Sequence, residues 1–375
     1  MAGLNPEVDP DGLLEYSVVF TDRSLNHMSQ AFQQVMRDIS SSMKRVYNAH
    51  SVALVPGGGT YAMEATARQF AADASVLIVR NGLFSFRWSQ ILDTGGISDQ
   101  QTILQAKRTV DEAKAPWAPA PLEEIVASIH EHQPAVVCVP HVDTSSGIML
   151  PKEYLEAIGK ATREVDGLFI LDCVASGAVW VDMQASMVDV LITAPQKGWS
   201  SSPSAGMVML NERARARADA AKSSSFACDL GAWLRIMDAY EKGGHAYHAT
   251  MPTDSLRGLR DTIREVEAFG LENARKAQLE LGTKVRSLLA ERGFPSVAAS
   301  GFEAPGVVVS YTDDEEIRTG KKFAREGLQV AAGVPLKCGE PEGFSTFRLG
   351  LFGLDKMKNI DRTVEYLKKA LDSIT

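Results

Sequence analysis

Between residues 50 and 210, short apolar runs alternate with segments of helical periodicity, and this alternation constrains the fold more than any other feature. The runs at 51–55, 76–79, 135–139, 167–172, 188–192 and 205–210 are short and mostly apolar. Runs of that kind read as strands buried on both faces. Between them, helical patterns occupy 61–72, a stretch opening at Asn81, 122–131 and 152–164. Strand and helix in alternation predict a mainly parallel, doubly wound α/β sheet. A helix over 28–46 precedes it, with Phe32, Val35, Met36, Ile39 and Met43 on one face.

Open sheets of this class bind ligands beyond the carboxyl ends of their strands. Two residues stand out there. Asp172 ends the run 167–172, and Lys197 lies between the runs 188–192 and 205–210, among small and polar residues. A lysine held between two buried strands is partly desolvated, which lowers its pKa and makes its amine nucleophilic. The bland alternatives are a surface-loop lysine and a strand-end turn residue. Taken together and in this order, the two match the pair used by pyridoxal phosphate enzymes. There an Asp keeps the pyridine nitrogen protonated and a Lys carries the aldehyde as a Schiff base.

Other motifs fall in sequence around this pair. Pro56-Gly57-Gly58-Gly59-Thr60 joins a strand to a helix. Its glycines allow a sharp turn, and the free amides at the helix start favour an anion. Asn81-Gly82-Leu83-Phe84-Ser85-Phe86-Arg87 opens the next helix. Pro140-His141-Val142-Asp143-Thr144-Ser145-Ser146-Gly147 follows a strand. It can form an Asx-type turn, and His141 reads equally as structural or catalytic. Tyr247-His248-Ala249-Thr250-Met251-Pro252 precedes a long helical pattern, and Arg348 stands in the apolar stretch 346–353. A guanidinium among apolar residues needs an anionic partner, either an Asp or Glu of the chain or a substrate carboxylate.

In this order the motifs resemble the class V (fold type I) pyridoxal phosphate aminotransferases, in particular the alanine/serine–glyoxylate branch. The resemblance runs from about Asn26 to the C-terminus. It implies a large domain with a mainly parallel seven-stranded sheet and a small α+β C-terminal domain. It also implies pyridoxal 5'-phosphate as cofactor, held on Lys197. Gly58, Gly59 and Thr60 would bind the phosphate, and Phe84 would stack on the pyridine ring. Thr144 would bond near the phenolic oxygen, and Val174 and Gln196 would join Asp172 and Lys197 in the cofactor set. Tyr247 and Thr250 would cross a homodimer to the partner's cofactor phosphate. Arg348 would take the substrate α-carboxylate. The implied reaction moves an amino group from a small amino acid, alanine or serine-like, to a 2-oxo acid such as glyoxylate or pyruvate, with Lys197 as proton carrier.

Two departures stand out. Asp143 replaces the more usual Glu, and the N-terminal loop is short, with Met28 where relatives have Arg after His27. The second bears on the substrate pair. The alternatives are a lyase or desulfurase, for which Cys338 is the candidate thiol, a ureidoglycine–glyoxylate-type aminotransferase, and a non-catalytic cofactor-binding protein.

A chain of 375 residues suggests two domains. The expected division is an N-terminal segment 1–26, a large cofactor-binding domain 27–259 and a small domain 260–375. The latter carries helical patterns at 256–292, broken near Gly270, at 317–326 and at 357–373, with strand-like runs at 306–311 and 347–350. Residues 1–14 read as a loose tail and 16–20 as a short extended piece. Net charge is −8, which offers no basic footprint for nucleic acid. No run of about 18 apolar residues is present, and 1–11 lacks the basic and apolar regions of a signal peptide. The four cysteines are scattered, with no metal-ligand spacing. A cytoplasmic, metal-free enzyme with reduced thiols is expected.

Overall fold

Seven strands form the first sheet: β1 (Ser51–Pro56), β2 (Val76–Arg80), β3 (Gln101–Gln105), β4 (Val136–Pro140), β5 (Leu168–Asp172), β6 (Val190–Thr193) and β7 (Ala205–Leu210). Their spatial order is β1-β7-β6-β5-β4-β2-β3. The pairings β6–β5, β5–β4, β4–β2 and β2–β3 are parallel, and β7 is antiparallel to both of its neighbours. The computed structural model describes residues 13–374, so the expected loose tail lies outside the described residues except for 13 and 14. Residues 16–20 form no strand and bend at 18 and 19.

The reversal at β7 positions the site. A parallel successor to β6 would need a helical crossover, whereas an antiparallel return needs only a loop. Residues 194–204 therefore stay at the carboxyl edge of β6, and Lys197 stays with them. In the register, Ile192 lies opposite Asp172, and Asp172 lies opposite Pro140. Three strand ends thus meet on one edge.

The helices in chain order are α1 (Gln30–Tyr47), α2 (Gly59–Phe70), α3 (Leu83–Thr94), α4 (Leu122–His132), α5 (Lys152–Glu164), α6 (Glu212–Ala220), α7 (Leu230–Glu241), α8 (Thr253–Phe269) and α9 (Leu271–Ala290). α1 shows why they form where they do. Ser29 Oγ caps its start by accepting from Phe32 N–H, and Asn48 ends it in the left-handed region at φ 56°. Its buried face is the predicted one, Phe32, Val35, Met36, Ile39 and Met43.

β3 and α7 have no counterpart in the sequence reading. The edge strand β3 is half exposed and of mixed polarity, so its apolar signal is weak. α7 is capped by Asp229 and packs on β1 and α1.

A second, three-stranded sheet has β8 (Val307–Tyr311) and β9 (Ala331–Ala332) on either side of β10 (Thr346–Gly350), all antiparallel. The expected helix 317–326 is two short ones, α10 (Glu315–Arg318) and α11 (Lys321–Arg325), separated where Gly320 adopts φ 78°. The C-terminal helix is likewise divided, into α12 (Leu354–Lys358) and α13 (Ile360–Ile374).

One core surrounds the first sheet with α1, α7 and α8, and another lies among α9, α13 and the second sheet. A third cluster, including Trp117, Val142, Ile148, Val307, Val309 and Tyr311, joins the two sheets. Trp117 Nε1 donates to Tyr311 Oη at 3.0 Å across that junction. Leu256, Leu259, Ile263 and Val266 of α8 and Ala274 and Ala277 of α9 all belong to the first core, so residue 260 lies within a helix of that core, and the second core takes over from Leu281.

Candidate active site

Lys197 and Asp172 line one cavity of about 380 Å3 at the carboxyl edge of the first sheet. Asp172 is the last residue of β5 and is buried. Its Oδ1 accepts from Val174 N–H at 2.9 Å, and it forms no ion pair among the described residues. Burial is the main reason its carboxyl pKa is pushed up to about 6, with the Val174 N–H opposing the rise. A cation arriving beside this carboxylate would restore its charge.

Lys197 follows β6 in a tight turn that several contacts hold. Gly198 packs against the carbonyl of Gly177, where an added Cβ would lie 2.1 Å from the oxygen. Trp199 is buried, 4.7 Å from Trp180 between ring centres. Ser200 sits at φ 56°, and its Oγ accepts from Leu354 N–H at 2.7 Å. The Lys197 amine has no hydrogen bond or ion pair among the described residues and lies 4.9 Å from the centre of the Phe352 ring. Burial first, then the nearby Arg348 charge, lower its pKa. An amine so placed has a larger neutral, nucleophilic fraction than a surface lysine.

Thr60 and Gly59, at the start of α2, line the same cavity. No side chain caps this helix, so its first N–H groups are available. Gly59 has to be glycine, because a Cβ there would meet Val174 Cγ2 at 2.6 Å. Val174 itself lines the cavity, as do Gln196 and Phe84, the second residue of α3. Gly58 caps α2 just outside the lining.

The 140–147 loop fastens α3. Asp143 is fully buried. Its carboxylate accepts from Ser85 N–H at 2.8 Å, Ser85 Oγ at 2.7 Å, Ser145 N–H at 3.0 Å and Ser145 Oγ at 2.6 Å. Ser145 Oγ accepts from Leu83 N–H at 2.8 Å. The Asx turn is therefore present, and it also clamps the helix carrying Phe84. Thr144 faces the cavity from the same loop. His141 does not line it. Its Nδ1 pairs with Ser176 Oγ at 2.7 Å, and burial lowers its pKa to about 4, so it is neutral and structural.

Arg348, on β10, reaches in from the second sheet. Its Nε donates to Ala332 O at 2.8 Å, and it forms no ion pair among the described residues. Burial lowers its pKa, with the more distant Asp143 charge opposing. The intramolecular salt bridge left open by the sequence is not formed.

Two predicted residues are elsewhere. Tyr247 and Thr250 bond to each other at 3.0 Å, and Tyr247 is 54% exposed. They do not line this chain's cavity, and neither do His27 and Met28. The His27 ring lies 5.5 Å from that of Tyr247.

Sequence reasoning passed over Phe352, beneath the Lys197 amine, and gave no role to Arg87, which lines the cavity one helical turn beyond Phe84. The i, i+3 spacing on α3 was the available signal for Arg87. Cys338 is buried, with Sγ against Arg80 O at 3.5 Å, and burial pushes its thiol up to about 12. It is not the mobile thiolate a desulfurase needs. Among the described residues there is no cluster able to hold a metal ion, and no helix is long and apolar enough to cross a membrane.

The donor set fits one kind of guest. It offers a carboxylate wanting a cation, an amine of lowered pKa able to take an aldehyde, and an uncapped helix start for an anion. Rat alanine–glyoxylate aminotransferase is 24% identical over 93% of this chain and 82% of its own length. The fold matches solved structures of alanine–glyoxylate aminotransferase from Nostoc sp. (24% identity, 93% of this chain and 88% of that one, TM-score 0.79) and of ureidoglycine–glyoxylate aminotransferase from Bacillus subtilis (20% identity, 99% and 90%, TM-score 0.77). The family model described as aminotransferase class-V matches residues 13–346. The chain belongs to the class-V aminotransferases, enzymes of fold type I that use pyridoxal phosphate.

Proposed function

We propose that this aminotransferase moves an amino group from a small amino acid, alanine or serine-like, to a 2-oxo acid such as glyoxylate or pyruvate. The observation carrying the reading is that Lys197, Asp172 and Arg348 line one cavity without any ion pair among them. Each is left free for a guest. Bound there, pyridoxal phosphate supplies an electron sink that makes the α-proton of an amino acid removable.

Lys197 binds the cofactor through its amine. Asp172 pairs with the pyridine nitrogen and keeps it protonated. Phe84 and Val174 bound the ring, and Thr144 offers its hydroxyl near the phenolic oxygen. Gly58, Gly59 and Thr60, with Gln196, hold the phosphate at the start of α2. Arg348 takes the α-carboxylate of the donor through its planar fork, which orients the Cα–H bond toward Lys197. Lys197, once displaced by the donor, would be the base that takes and carries the α-proton.

A small donor is in keeping with the space, a cavity of about 380 Å3 that would admit both cofactor and substrate. The lining also includes Val142, Val307 and Phe352, which offer no charge to a substrate side chain. Glyoxylate as acceptor is supported by the names of two relatives, and pyruvate by that of a third, a 2-aminoethylphosphonate–pyruvate transaminase.

Borohydride treatment of the purified protein followed by peptide mapping tests the first step. Reduced cofactor should be found on Lys197, and an amino-acid panel assayed with glyoxylate and with pyruvate should favour small donors. Cofactor trapped on another lysine, or a preference for bulky donors, would overturn the corresponding half of the reading.

A further inference from the structure

Four charged side chains line the cavity: Arg87, Asp172, Lys197 and Arg348. The mechanism above uses three of them and leaves Arg87 without a task. Three cations against one carboxylate is an imbalance in a partly desolvated space, and it calls for anions from outside. Arg348 accounts for one, the substrate carboxylate.

Arg87 differs from Arg348 in being tied to the start of α2. Its Nη1 donates to Thr60 Oγ1 at 2.9 Å. Thr60 is the second residue of α2, at the uncapped start of that helix. The Arg87 guanidinium carbon is 5.2 Å from the Phe84 ring centre, and that of Arg348 is 5.8 Å from the same ring. The aromatic ring is thus flanked by two guanidiniums, only one of which is bonded to the α2 turn. Arg87 makes no ion pair among the described residues, and the Thr60 contact is its one hydrogen bond there. A guanidinium has five N–H donors in a rigid fork, so most of its capacity is unspent.

We propose that Arg87 is a ligand of the cofactor's phosphate, bridging Thr60 and a phosphate oxygen, and that it makes the site selective for the 5'-phosphorylated cofactor. The proposal rests on the pyridoxal phosphate reading of the cavity. Its chemistry, a guanidinium on anionic oxygens, could instead serve an acidic substrate side chain, and binding measurements separate the two. Pairing with a doubly charged phosphate explains why the cavity tolerates three cations. The hydrogen bond to Thr60 keeps the fork aimed at the α2 start rather than at Lys197.

The test is cofactor binding to purified apoenzyme, followed by absorbance, for the wild type, Arg87→Met and Arg87→Lys. Pyridoxal phosphate is compared with pyridoxal, which lacks the phosphate. Arg87→Met should weaken pyridoxal phosphate binding about tenfold to hundredfold, the loss of a charge-assisted hydrogen bond. Pyridoxal binding should change by less than about twofold, and Arg87→Lys should restore part of the phosphate preference. Inorganic phosphate should compete with pyridoxal phosphate less well in Arg87→Met than in the wild type. Unchanged pyridoxal phosphate affinity together with a raised KM for acidic donors would reassign Arg87 to the substrate. Equal losses for both vitamers would make it a structural support of Phe84. A wild type that binds neither vitamer would instead remove the cofactor reading on which the proposal stands.

Discussion

Asp172 sets the most direct physical test at the scale of one residue. Its carboxyl is buried, and burial raises its pKa from 3.8 to about 6 against the opposing Val174 N–H and Arg87 charge. A folded-state pKa above the unfolded value means that the fold favours the protonated form. Stability of the apoprotein is therefore greatest below pH 4 as far as this group is concerned, and is lost as pH rises through 6. The loss is on the order of 3 kcal/mol. Asp172→Asn should make the apoprotein more stable than wild type at pH 7–8, with the gap closing toward pH 4, in denaturant titrations across pH. The same change should abolish most transaminase activity, since an amide cannot hold the ring nitrogen protonated. Arg348 offers the complementary case. Removing one partner of a buried charge pair costs roughly 2–5 kcal/mol. Arg348→Ala should lower kcat/KM by about thirty-fold to several thousand-fold while leaving the bound cofactor's spectrum nearly unchanged. Near-normal kcat/KM for every accepted donor would make the arginine structural. Both residues were legible in the sequence because a charge in an apolar run is conspicuous. Arg87 was less so, since a charged residue on a helix is unremarkable until its face is known.

At the scale of elements, the site depends on turns held from a distance. The α3 helix presents Phe84 and Arg87 only because the Asp143 carboxylate accepts four hydrogen bonds from Ser85 and Ser145. Asp143→Ala would strand those buried donors at a cost of roughly 3 kcal/mol or more. The expected result is a lower denaturant midpoint and a weakened affinity for the cofactor, measured on the apoprotein. The longer Glu of the relatives should not substitute freely here. A Cβ on Gly82 would already lie 2.6 Å from Asp143 Oδ1, so the space is full. If Asp143→Ala left the midpoint unchanged, the clamp would have no energetic weight. The Pro140–Gly147 motif was visible in the sequence, but its task was not. An Asx turn is local, whereas the bond from Asp143 to Ser85 joins residues 58 apart.

At the scale of the whole molecule, Tyr247 and Thr250 are exposed and lie outside their own chain's cavity, beside His27. We propose that in a homodimer they would complete the partner's site. Mixing Lys197→Ala subunits with Tyr247→Ala/Thr250→Ala subunits should then restore activity, because each hybrid holds one site with all its parts. A fully active monomer in sedimentation, or no complementation on mixing, would refute the shared site. The sequence by itself determined the strand and helix periodicity, the sites of Asp172 and Lys197 at strand ends, and the glycine turn before α2. Those are local properties, set by side-chain period, steric freedom and burial preference. Only the tertiary structure decided that β7 runs back along β6 and keeps Lys197 at the carboxyl edge, and that His141 is buried and neutral. It alone set Phe352 under the lysine, Cys338 out of reach, and Arg87 against Thr60. Each of these depends on contacts between residues far apart in the chain, which a local pattern cannot encode.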